Sequence, residues 1–139
     1  MIPLSQKSGF LNILCNKMCD EQHIRFCGII DSLGNLIAGS FKDGIHPLDN
    51  YTQRKMMYVQ SRLELLMKAE FDDTLGGVDY TTTQRENITI IRIPMKNQKY
   101  HIFMSAERSI DVKKIVDTAL DLFVNHRRHD DVINSHVQA

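Results

Sequence analysis

Two short apolar runs on either side of a tight turn constrain this chain more than any other feature in it. Ile24-Arg25-Phe26-Cys27-Gly28-Ile29-Ile30 and Leu36-Ile37-Ala38-Gly39-Ser40-Phe41 both read as strands, and Asp31-Ser32-Leu33-Gly34-Asn35 joins them. An aspartate opens such a turn through its side-chain acceptor, and Gly34 supplies the positive φ that closes a hairpin with a bulge. Both faces carry apolar side chains: Ile24, Phe26 and Ile30 on one, Cys27 and Ile29 on the other. Strands of that kind belong in the middle of a sheet that is covered on both sides. Gly28 and Gly39 are expected where a helix backbone packs close to the sheet.

The remaining segments supply the cover. Residues 5–20 predict a helix with Phe10, Leu11, Ile13, Leu14 and Met18 on one face. After a loop through Pro47, Asp49 or Asn50 caps a long helix that runs to about Phe71. Its main stripe is Met56, Val59, Leu63, Leu66, Met67 and Phe71, with Glu64 and Lys68 paired on the wet side. Met57, Tyr58 and Leu65 lie off that stripe, so the helix is apolar over more of its circumference than a one-sided helix needs, and these residues are expected to meet another chain. Gly76-Gly77 ends the helical region. Three strands follow, at Val78–Gln84, Asn87–Ile93 and Lys99–Ser105. The first is hydroxyl-rich and suits an edge; the other two are apolar enough for the interior. Pro94 and Lys96-Asn97-Gln98 punctuate the second hairpin. Ser109 is expected to cap a last helix, about Ile110–Asn125, before a polar, frayed tail over residues 126–139. The order is α-β-β-α-β-β-β-α, read as a single domain over residues 1–125.

The 139 residues are enough to bury a core without disulfides or metal. Seventeen basic residues balance seventeen acidic ones, which argues against a general nucleic-acid or anionic-membrane binder. No run approaches the ~18 apolar residues of a membrane-spanning helix, and the N-terminal residues lack a signal-peptide h-region. Cys15, Cys19 and Cys27 are an odd number without framework spacing, so reduced thiols in the cytoplasm are the expectation.

The element order, together with Gly28-Ile29-Ile30-Asp31-Ser32-Leu33-Gly34-Asn35-Leu36-Ile37-Ala38, resembles the Roadblock/dynein light chain superfamily, whose domains are profilin-like and carry an apolar-Asp-x-x-Gly-x-apolar-Ala signature. Asn35–Ile45 and Arg54-Lys55-Met56-Met57 also look like a family of uncharacterised small archaeal proteins. The resemblance implies an α+β fold with a five-stranded antiparallel sheet in the order 2-1-5-4-3, the long helix on one face and the terminal helices on the other. It implies dimerisation through the third strand and second helix, and a role as a scaffold or regulator of a small GTPase. It carries no catalytic set and no cofactor. The dimer candidates are accordingly Met57, Tyr58, Leu65, Val78, Tyr80 and Thr82.

Other constellations that could carry chemistry are sparse. Cys15, Cys19 and His23 recur every four residues, which on a helix would place two thiols and an imidazole on one face, although a structural zinc site needs a fourth ligand. His126, His129 and His136 with Arg127 and Arg128 are a second metal or anion candidate, offset by Asp130 and Asp131. Ser105, Ser109, Glu107 and His101 form no nucleophile-elbow motif, and no phosphate-cradling glycine loop occurs. The leading reading is a non-enzymatic homodimeric interaction module. The competing readings are a PAS- or GAF-like small-molecule sensor, with a cavity lined by Phe26, Phe41, Phe103 and Met67, and a thiol- or metal-dependent regulator.

Overall fold

The computed structural model describes residues 4–95 and 99–125. Lys96-Asn97-Gln98 and the tail with His126, Arg127, Arg128, His129 and His136 lie outside the described residues. The elements are α1 (Leu4–Met18), β1 (Ile24–Ile30), β2 (Leu36–Phe41), α2 (Tyr51–Ala69), a one-turn α3 (Asp72–Leu75), β3 (Thr81–Gln84), β4 (Thr89–Pro94), β5 (His101–Ala106) and α4 (Val112–Leu120), which runs into a π-helical turn at Asp121–Asn125. The strands form one antiparallel sheet in the order β2-β1-β5-β4-β3, as the resemblance implied.

The β1–β2 hairpin turns as its residues suggest, but only β1 lies inside the sheet: β2, also expected in the middle, is an edge strand in which Ala38 alone is buried. Asp31 Oδ1 accepts from the backbone N–H groups of Leu33 at 2.9 Å and Asn35 at 2.8 Å, and the Gly34 N–H donates to the Asp31 carbonyl. Gly34 has φ 84°, the left-handed conformation that favours glycine. Its backbone also makes the close approach to a helix: a Cβ there would stand 2.9 Å from Val59 Cα of α2. Gly28 and Gly39 serve differently from expectation. They are cross-strand partners, and the space over them is filled by the Phe26 ring and the Leu36 side chain rather than by a helix backbone.

On one face, α1 and α4 cover Cys27, Ile29, Ile91, Ile93, Ile102 and Met104. Ile24 joins this face instead of the face of Phe26, because the β1–β5 register shifts between Ile24 and Phe26 and reverses the alternation. From α1 it is Leu11, Leu14, Cys15 and Met18 that are buried, leaving Ile13 exposed. The N-cap of α4 is Asp111, whose carboxylate accepts from the Lys114 N–H; Ser109 sits in the preceding turn. Strand β3 is shorter than expected. Continuing its register would set Asp79 opposite Pro94, which has no N–H to extend the ladder.

On the opposite face, Phe26, Ile30, Ile90 and Phe103 meet Tyr58 of α2. The helix starts at an Asn50–Gln53 capping box. Between the layers lies His101, fully buried, with neither ring nitrogen hydrogen-bonded among the described residues. Burial first, then Arg62 and Arg92, lowers its pKa from 6.5 to about 4.

Two outcomes are expected. Gly34→Ala forces an unfavourable φ and a clash with the α2 backbone, and should destabilise the chain by about 1–3 kcal/mol in urea unfolding. His101 is neutral in the folded chain down to about pH 4, whereas the unfolded chain takes up its proton near 6.5. Stability is therefore full above pH 6.5 and falls as pH drops toward 4, by roughly 3 kcal/mol at 1.36 kcal/mol per unit. The urea midpoint of the wild type should follow that slope, and His101→Leu should lack this share of it.

Candidate functional site

Helix α2 presents two faces of different chemistry. The face seated on the sheet is Tyr58, Ser61 and Leu65, all buried. A serine stands at its centre because β4 presents a buried cation there. Arg92 Nε donates to Ser61 Oγ at 2.7 Å, and Nη1 donates to Thr83 Oγ1 of β3 at 3.4 Å and pairs with Glu64 Oε2 at 3.1 Å. Burial pushes the Arg92 pKa down and Glu64 works against that shift. One guanidinium thus ties α2, β4 and β3 together. Tyr58 packs edge-on to Phe103 at 5.3 Å between ring centroids, and burial raises its hydroxyl to about 12, so it stays a neutral phenol.

The other face carries the stripe expected to lie against the core, and it is open. Met56, Val59, Leu63, Leu66 and Met67 are between 44% and 68% exposed, and Phe71 and Leu75 extend the apolar surface beyond the helix. The expectation had the two faces interchanged. Tyr58 and Leu65, placed at a contact with another chain, are buried in their own subunit, and Met57 is half-buried beside Tyr58. Of the strand candidates, Val78 is half-buried, Tyr80 and Thr82 are exposed, and only Thr82 lies within β3.

The two rims of the sheet differ. At β2, side chains of α1 and the turn after it occupy the edge: Asn12 Oδ1 accepts from the Gly39 N–H at 2.9 Å, Asn16 bonds the Ser40 hydroxyl at 3.1 Å, and the Cys19 thiol donates to the Ser40 carbonyl at 3.2 Å. At β3, the described backbone bonds run inward to β4 alone. Edge groups without partners invite another strand, so β3 is the rim open to extension.

Beside α2 the sheet face is not fully covered. A cleft of about 830 Å³ lies between the first half of α2, the segment Pro47–Asp49 and the turn after β3. Phe26, Phe41 and Phe103 line it as expected for a sensor cavity, but Met67 does not; it belongs to the exposed stripe.

The thiol candidates separate. Helix α1 ends at Met18, so Cys19 lies in the turn, and His23 adopts φ 76° with an exposed side chain while its carbonyl accepts from the Glu107 N–H. The third neighbour of Cys15 and Cys19 is Cys27 of β1 rather than His23. Burial raises the thiols of Cys19 and Cys27, which favours their protonated form. Among the described residues no group of three His, Cys, Asp or Glu side chains is placed to hold a metal ion. Glu107 pairs with Arg25 at 3.2 Å, and His101 is enclosed in the core without a hydroxyl partner among the described residues. No helix of the described chain is long and apolar enough to cross a membrane.

Known structures share this architecture. A Roadblock/LC7 domain from Streptomyces avermitilis superimposes with a TM-score of 0.66 at 11% identity, covering 85% of this chain and 95% of that one. MglB of Myxococcus xanthus gives 0.70 at 8% identity over 93% and 96%. The gliding protein MglB from Thermus thermophilus gives 0.66 at 10% identity over 88% and 89%. The fold is therefore the Roadblock/LC7 fold, and at such identities the likeness is one of fold alone. No curated protein matches the sequence significantly. The sequence profile that does match spans residues 9–131, and by it the chain belongs to DUF6659, a family of unknown function.

Proposed function

We propose that the chain is a non-enzymatic interaction module that works as a homodimer. The observation that carries this reading is the exposed stripe of α2, with five large apolar side chains on the face opposite the one seated on the sheet. A contiguous apolar surface of that kind, next to an open strand edge, favours a partner that covers both. A second copy does so self-complementarily: stripe against stripe, and β3 against β3, with Thr82 and Tyr80 at the seam. The closed β2 rim leaves β3 as the edge for that pairing. Arg92 supports it further, since it holds the stripe-bearing helix and the open strand in one geometry.

The resemblance to Roadblock domains extends the reading to a partner, with the dimer acting as a cytoplasmic scaffold or regulator for a small GTPase. The balanced charge of the chain suits a protein partner better than a polyanion.

Sedimentation at micromolar concentration is expected to give a dimer for the wild type and a monomer for Leu63→Glu, with unchanged circular dichroism. A wild-type monomer would count against the homodimer. A charge at Tyr58 or Leu65 should instead lower thermal stability, because those side chains are buried against the sheet. For the partner, immobilised wild type should retain a GTP-binding protein from native extract, and Leu63→Glu should retain less.

A further inference from the structure

Helix α2 and the turn that follows it are polarised along their length. From Tyr51 to Leu63 the basic residues Arg54, Lys55 and Arg62 face no acidic residue in the same stretch. From Glu64 to Leu75 the carboxylates of Glu64, Glu70, Asp72 and Asp73 outnumber the single Lys68. Lys55, Glu70, Asp72 and Asp73 are exposed and form no ion pair among the described residues. Two copies of this helix laid antiparallel bring unlike charges together, and laid parallel they bring like charges together.

The acidic end also carries two apolar side chains that its own subunit leaves open, Phe71 at 58% and Leu75 at 79% exposure. The mouth of the cleft beside the basic end is open and apolar as well, with Leu48 at 65% and Met56 at 58%. Within one subunit these two surfaces stand apart: Phe71 lies fifteen positions beyond Met56, about 22 Å along a helix. A second copy brings them together by two routes. Antiparallel α2 helices centred on Leu63 set Lys55 opposite Phe71, between Glu70 and Asp72, and Val59 opposite Met67. Antiparallel β3 strands set Thr81 of one copy beside Gln84 of the other, and Gln84 stands in the cleft wall. Leu75 precedes Thr81 by six positions, so the linking chain spans up to about 20 Å and reaches the same cleft.

We infer that the cleft is a socket for a second copy of this chain: Phe71 and Leu75 of each subunit seat in the cleft mouth of the other, with Lys55 held against Glu70 and Asp72. The socket rests on the homodimer reading and adds to it an orientation and an anchor outside the helical stripe. It covers the most exposed apolar side chains of the acidic end, and it explains why they are flanked by carboxylates: the helix they meet is basic. Central apolar anchors seated in a pocket, with charge pairs around them, are the usual make-up of a specific interface.

Photo-crosslinking and sedimentation of the intact chain test this together. With Phe71 replaced by p-benzoylphenylalanine, an equal mixture of isotopically heavy and light protein should crosslink between copies, to residues 47–56 or 84–88. Leu75→Ser should weaken dimerisation by about tenfold, the factor that burial of a leucine side chain supports, with unchanged circular dichroism. Lys55→Glu should weaken it by about fivefold, and adding Glu70→Lys and Asp72→Lys to the same chain should restore it. Ile13→Ser, an equally open change on α1 across the sheet, should leave the dimer unaltered. A dimer whose position 71 crosslinks elsewhere, that is indifferent to Leu75→Ser, or that the added charge changes weaken further would overturn the socket and leave the homodimer standing. A wild-type monomer at micromolar concentration would overturn both.

Discussion

A sheet that is apolar on both faces has to be covered on both, and this chain covers them unequally. Helices α1 and α4 close one face around the core from Leu14 to Phe123. Among the described residues the other has α2 alone, and one helix cannot shield five strands. The surface that remains is the origin of both exposed apolar features. Where α2 lies, its far side is left apolar and open; where it does not lie, the phenylalanines of β1, β2 and β5 line a cleft.

What keeps α2 in place is polar as much as apolar. Its seat is narrow, with Tyr58, Ser61 and Leu65 as its buried residues. Gly34 lets the hairpin backbone approach Val59, Arg62 Nε donates to the Ser32 carbonyl, and Arg92 bonds Ser61 and Glu64 from below. A buried arginine contributes little net stability by itself, but removing one of its partners would leave a charge without compensation, so the arrangement is held to one register. That register sets which side of the helix faces outward, and hence which residues are open to a second chain.

The fold was legible in the sequence because its signals are local. The Asp31-to-Asn35 turn, the alternating buried strands and the capping residues before α2 each depend on neighbours a few positions away, and the element order followed from them. The candidate surface was misread for an identifiable reason. Ranking the positions of α2 by apolar character put Met56, Val59, Leu63, Leu66 and Met67 inside, whereas the seated face contains a serine demanded by an arginine 31 residues downstream. The available signal was a lone arginine within Ile90-Ile91-Arg92-Ile93: a charge in a buried strand needs polar partners, and the helix above it is where they would be. The assignment of His23 to the thiols failed similarly, since spacing of four has meaning only while the helix lasts and α1 stops at Met18.

Periodicity, turn chemistry and composition by themselves determined the element order, the two-sided burial of β1 and the balanced charge, because each is a property of residues close in the chain or of the whole composition. Which face of α2 looks outward, which rim of the sheet is closed by Asn12, Asn16 and Cys19, and that Phe26, Phe41 and Phe103 line one cleft were decided only in three dimensions. Each of these depends on contacts between segments distant in sequence, and a helix with apolar residues on opposite sides can satisfy its own periodicity in either orientation until the groups beneath it select one.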